Sequence, residues 1–156
     1  MRNKRILTVL VLVGMVLLFS PQSVLTVSTT FVTGAGKAPY ANGVQYGGVP
    51  LNGLRFGFGV NVSSLGNGSG DFAAVLTGTV LNQPREITVE GKTAAGSVSG
   101  GTATFSGICS VDMGDGTPAL TNVPFIATVT SSNLALTLGA TSLPAANVSN
   151  GVITIK

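Results

Sequence analysis

Between Leu54 and Val62 every even position is apolar (Leu54, Phe56, Phe58, Val60, Val62), and every odd one is Arg, Gly or Asn. A helix would scatter those side chains round its circumference. A strand turns them all to one face, so the segment predicts a half-buried strand. The same alternation recurs in 101–111 (Ala103, Phe105, Gly107, Cys109, Val111), in 123–130 (Val123, Phe125, Ala127, Val129) and in the three leucines of 134–138. In 86–93, Ile87 and Val89 alternate with Glu86, Thr88 and Glu90. The segments 26–33, 71–80 and 152–155 complete the set of expected strands. Turn signals separate them: Gly66-Asn67-Gly68, Asn82-Gln83-Pro84, Gly114-Asp115-Gly116, Ser131-Ser132-Asn133 and Asn150-Gly151. Short strands at this spacing predict an all-β chain: a single antiparallel β-sandwich, immunoglobulin-like or jelly-roll-like, with a small β-barrel as the alternative. Two stretches break the pattern. The Gly-rich segment 34–50 is expected to be irregular, and 91–101 to be a mobile connection.

The N-terminus reads differently. Arg2, Lys4 and Arg5 precede the uncharged run 6–19, which Ser20-Pro21-Gln22-Ser23 interrupts. This is the layout of a secretory signal peptide. The run is shorter than the roughly 20 residues that span a bilayer. Thr26 and Ser28 are small enough to flank a cleavage site, so 1–28 is expected to be a signal helix, with an uncleaved anchor as the alternative. No Cys follows the run to suggest a lipoprotein. The remainder, 29–156, has about the length of one domain. Membrane contact is expected only through the N-terminal segment, during or after export.

Export changes the charge balance. The whole chain carries +3, but Arg2, Lys4 and Arg5 account for that excess. Beyond residue 28, Lys37, Arg55, Arg85, Lys92 and Lys156 face Asp71, Glu86, Glu90, Asp112 and Asp115. A balanced surface lacks the basic patch that phosphate neutralisation needs, so nucleic acid is not an expected partner. It also lacks the charge repulsion that keeps copies apart. With a single cysteine, Cys109, no intrachain disulfide can form. Its place on the strand face of Phe105 reads as a small buried apolar residue.

The most distinctive string is Asp112-Met113-Gly114-Asp115-Gly116-Thr117-Pro118. Asp112 and Asp115 are the candidate metal ligands, for Ca²⁺, whose ligands are oxygens. The spacing does not make an EF-hand loop, because Val123 stands at its twelfth position. A tight turn is the simpler reading. With Thr104-Phe105-Ser106 ahead of it, the string resembles the Asp-x-Gly-Asp-Gly-Thr segment of polycystic-kidney-disease-type immunoglobulin-like domains, over about 15 residues. Val111 replaces the family's Trp before the first Asp. The resemblance implies an extracellular β-sandwich that serves as a spacer or binding accessory.

Catalysis is not expected. Without histidine the chain cannot form Ser-His-Asp, Cys-His or His-ligated zinc sites. Glu86 and Glu90 share a strand face at a spacing of about 13 Å, wider than the roughly 5–9.5 Å of glycosidase pairs. Tyr40 and Tyr46, in the Gly-rich segment, are the candidate ligand-binding residues, exposed platforms on which a sugar could stack. Asn61, Asn67 and Asn147 begin Asn-x-Ser acceptor patterns. The expected function is an exported, non-catalytic structural or adhesive module of the cell surface or extracellular space. Its partners would be an extracellular protein, a polysaccharide or another copy of itself, with no cofactor beyond Ca²⁺. The alternatives are a glycan-binding accessory domain and a filament subunit in which 24–33 adds as a strand to a neighbour.

Overall fold

The computed structural model describes residues 26–156. The expected signal helix therefore lies outside the described residues, apart from 26–28. The chain from 29 onward is built of strands: β1 (Thr29–Pro39), β2 (Gln45–Tyr46), β3 (Val49–Ser63), β4 (Asn67–Val80), β5 (Gln83–Ser99), β6 (Thr102–Asp112), β7 (Leu120–Val129), β8 (Asn133–Leu138), β9 (Thr141–Asn147) and β10 (Asn150–Ile155). The alternation that predicts β3, β6, β7 and β8 is the burial pattern observed: Phe56, Phe58, Phe105, Phe125, Leu134 and Leu136 all point inward.

Two expectations are corrected. The segment 34–50 is not irregular throughout. Its first part, through Pro39, completes β1 in register with β3, and Val49 and Pro50 open β3. Likewise 91–99 is not a mobile connection but the second half of β5, paired with β6 from Thr102 to Cys109.

All pairings are antiparallel and form one path, β10-β1-β3-β4-β5-β6-β7-β8-β9, with β2 folded onto β3. The expected pair of stacked sheets is thus met only as far as an antiparallel all-β chain. The structure is one curled sheet. Its two ends, β9 and β10, are consecutive in the chain. Alternating directions along the path make β9 antiparallel to β1, and β10 is also antiparallel to β1. The two therefore run the same way, joined only by Val148 and Ser149, and form two halves of one bent strand. The first half pairs with β8 and the second with β1. At the bend, the Val148 N–H donates to the Ser132 carbonyl (2.8 Å) and the Ser149 N–H to the Lys37 carbonyl (3.0 Å), so adjacent residues reach the two flanks of the sheet.

The concave side holds the core. Phe58 stacks on Phe72 and tilts against Phe105, at centroid distances of 6.3 and 5.3 Å. Phe72 stacks on Phe125 at 5.2 Å. The rings thus meet across the curl from β3 and β4 to β6 and β7. Each of the five core phenylalanines is in cross-strand register with a glycine: Phe58 with Gly34, Phe56 with Gly36, Phe72 with Gly91, Phe105 with Gly96 and Phe125 with Gly107. A side chain on Gly34 would run into the Phe58 ring, and a Cβ on Gly91 would lie 2.7 Å from the Phe125 ring. The glycines supply the room that lets a narrow curl hold aromatic rings.

Candidate functional site

Tyr40 and Tyr46 sit in the segment between β1 and β3. The Tyr40 N–H donates to the Asn52 carbonyl (3.0 Å). Tyr46 is turned back onto Val49 through Gly47 and Gly48, both at positive φ. This hairpin presses both rings inward, into the core cluster. The expectation of exposed stacking platforms is therefore corrected: both tyrosines are buried. An apolar ring on a segment that lies over the end of a curled sheet gains more from burial than from solvent. The Tyr40 hydroxyl has no hydrogen-bond partner among the described residues. Burial pushes its pKa far above the usual 10.0. Burial, and then the neighbouring Cys109 thiol, raise that of Tyr46. Cys109 is itself buried, its Sγ 3.3 Å from the Val123 carbonyl, and burial raises its pKa.

Asp112 and Asp115 lie at and beyond the end of β6, and each carboxylate closes its own turn. Asp112 Oδ1 accepts the Gly114 N–H (2.8 Å). Asp115 Oδ1 accepts the Thr117 N–H (3.0 Å) and hydroxyl (2.6 Å). Those bonds, with Arg85 3.7 Å from Oδ2, hold the exposed Asp115 carboxyl below its usual value. Among the described residues, no three His, Cys, Asp or Glu side chains gather where they could hold a metal ion. The two aspartates order a loop, as local Asp-to-backbone bonds do in turns.

Of the concavities among the described residues, two bring charged side chains together. One, of about 420 Å³, lies over β4, β5 and β6 and is lined by Asp71, Glu90, Lys92 and Ser110. Asp71 and Lys92 pair with each other there. The second, of about 300 Å³, forms where β1 ends and the bent strand passes between its halves. A bulge in β3 at Asn52, an extra residue between the pairs Leu51–Gly78 and Gly53–Thr77, opens it. The bulge also shifts the buried positions of β3 from odd to even numbers. Lys37, Asn52, Arg55, Thr77 and Ser149 line the cleft, with Ala38, Pro39, Gly53 and Leu54. The Thr77 hydroxyl donates to Asn52 Oδ1 (2.7 Å), and the Ser149 hydroxyl donates to the Lys37 carbonyl (3.1 Å). Arg55 reaches Glu86 at 2.5 Å. Lys37 has no carboxylate partner among the described residues.

The sequence reading missed this cleft. Its residues come from three separate strands and a junction, and the one local signal was the phase change in apolar positions between Leu51 and Leu54. Comparisons of the chain with family models, characterised proteins and solved structures give no match.

Proposed function

We propose that the chain is an exported, non-catalytic structural or adhesive module of the cell surface or extracellular space, and that its sheet closes as an eight-stranded antiparallel barrel whose eighth strand is β9 continued by β10. The observation that carries this reading is the filled interior. Phe58, Phe72, Phe105 and Phe125 contact one another across the curl, so recognition falls to the outer face and the ends. The basic and then apolar N-terminal segment supports export. An even strand number supports closure, because the eighth strand of a meander runs antiparallel to the first. Partners on this reading are an extracellular protein, a polysaccharide or a second copy.

Strand exchange gains less support. Within the donor segment 24–33, Thr29–Thr33 pair with β3, and Val32 and Thr33 pair with β10 as well, as the rest of β1 does through Lys37. Donating this strand to a neighbour would empty a central slot, not extend a free edge. Fractionating the native host, and reading the mature N-terminus and the mass in solution, tests the proposal. The expected result is an extracytoplasmic protein that begins near Thr29 and runs as one copy or a discrete pair. A cytoplasmic protein with Met1 intact overturns it, and a ladder of multimers transfers the case to the filament reading.

A further inference from the structure

We infer that the cleft at the bulge of β3 binds an acidic saccharide, one sugar residue bearing a carboxylate, through Lys37, Arg55 and Asn52. This rests on the adhesive reading and names its ligand.

Lys37 and Arg55 are directly opposite one another on β1 and β3. Like charges in that position oppose each other. Glu86 offsets one of them through Arg55, which leaves about one positive charge at the mouth. That charge suits a monoanion, and a dianionic phosphate would remain half unpaired. The hydrogen-bonding groups have the same bias. The protons of Thr77 and Ser149 are engaged within the protein. Asn52 Oδ1 is occupied by Thr77, and the Asn52 amide group makes no hydrogen bond among the described residues. The nitrogen groups free to meet a ligand are donors, namely Lys37 Nζ, Asn52 Nδ2 and the remaining guanidinium N–H groups of Arg55. The Thr77 and Ser149 hydroxyl oxygens, their protons engaged, can accept from sugar hydroxyls. An acceptor-rich anion fits the donors.

The cleft also has an exposed apolar wall from Pro39, beside the Gly53 backbone, while Ala38 and Leu54 line it with main chain and turn their side chains into the core. A bare carboxylate would leave that wall unused, whereas the C–H face of a sugar ring covers it. Its volume, about 300 Å³, is at the lower end for ligand sites and holds one ring, not a folded oligomer.

An amide-resolved NMR titration of the 29–156 chain as exported tests this with four probes: galacturonate, galactose, acetate and inorganic phosphate. Galacturonate is expected to shift the amides of Lys37, Gly53, Thr77 and Ser149. Galactose and acetate are expected to bind at least about tenfold more weakly, since each lacks one half of the recognition. Lys37→Ala, at an exposed position, should cost about tenfold in affinity and leave the rest of the spectrum unchanged. Asn52→Asp keeps an acceptor for Thr77 and adds a repelling charge, so it should abolish the shifts. The inference falls if galacturonate moves no amide in the cleft, if acetate or phosphate binds as well as galacturonate, or if both variants bind like the parent. Export without saccharide binding would sink this inference alone. Binding by a protein found in the cytoplasm would sink the adhesive reading instead.

Discussion

A phenyl ring on the concave side of a tightly curled sheet needs space that an ordinary cross-strand neighbour would fill. Glycine on a neighbouring strand provides it, as Gly34 does for Phe58 and Gly91 for Phe125. Position decides what a methyl group does. On Gly34 it would strike the Phe58 ring, whereas on Gly57, one strand away on the outer face, it meets nothing. Gly34→Ala should therefore destabilise by about 1–3 kcal/mol through overpacking. Gly57→Ala should stay within about 0.5 kcal/mol of the parent, or gain slightly from a stiffer unfolded chain. Urea denaturation of the two variants checks this, and equal losses would place both glycines wrongly. The rings themselves were legible, because alternation alone turns Phe56, Phe58, Phe105 and Phe125 inward. Their glycine partners were not, because register is set by pairings distant in sequence. Tyr40 and Tyr46 misled for a related reason: a glycine-rich context suggested exposure, but the hairpin folds their rings inward.

Stretches with an unbroken period, such as 54–62 of β3, were read correctly, and β9, whose period is interrupted, was not. In β9 the buried residues are Leu143 and Ala146, three apart, because an extra residue lies between the pairs Leu134–Ala146 and Leu136–Leu143. Pro144 adds a further signal against a strand. The second halves of β1 and β5 escaped for want of large side chains: Gly34, Gly36 and Gly91 are covered by rings that other strands supply. The β4–β5 hairpin shows the opposite case, local conformation at odds with residue type. Leu81 and Asn82 form its two-residue turn with φ of 49° and 63°, the left-handed pair of a type I′ turn. Leu81 is 92% exposed there, so no burial offsets its backbone strain. Leu81→Gly should stabilise the protein by about 1 kcal/mol, read as a rise in Tm. A fall in Tm would mean that the leucine has a contact in the native assembly.

At the scale of the molecule, composition and period gave the all-β class, but two stacked sheets and one curled sheet have the same alternation. What separates them is how the edges meet, here through Val148 and Ser149. The cap formed by residues 40–48 gives the whole fold a pH limit. Burial raises the pKa of both tyrosines above 10.0, so in the unfolded chain the phenols lose their protons first as pH rises. Stability from this source is intact below about pH 10 and declines above it. The chain has two tyrosines and no tryptophan, so phenolate absorbance reports on this cap alone. It should appear only above the range in which a free phenol titrates, with the Tyr40 share arriving as the fold is lost. A smooth titration centred near 10, with the fold intact, would put the rings in solvent.

The most direct test is of the curl itself, by nuclear Overhauser contacts in the 29–156 chain. The account predicts ring-to-ring contacts from Phe58 to Phe105 and from Phe72 to Phe125. It also predicts that one continuous strand shows backbone contacts to two partners, Leu134 with Ala146 and Ala35 with Val152. If 141–147 and 150–155 paired with each other as a hairpin, or if the Phe58 and Phe105 rings made no contact, the sheet would not close around its own core and the account would be wrong.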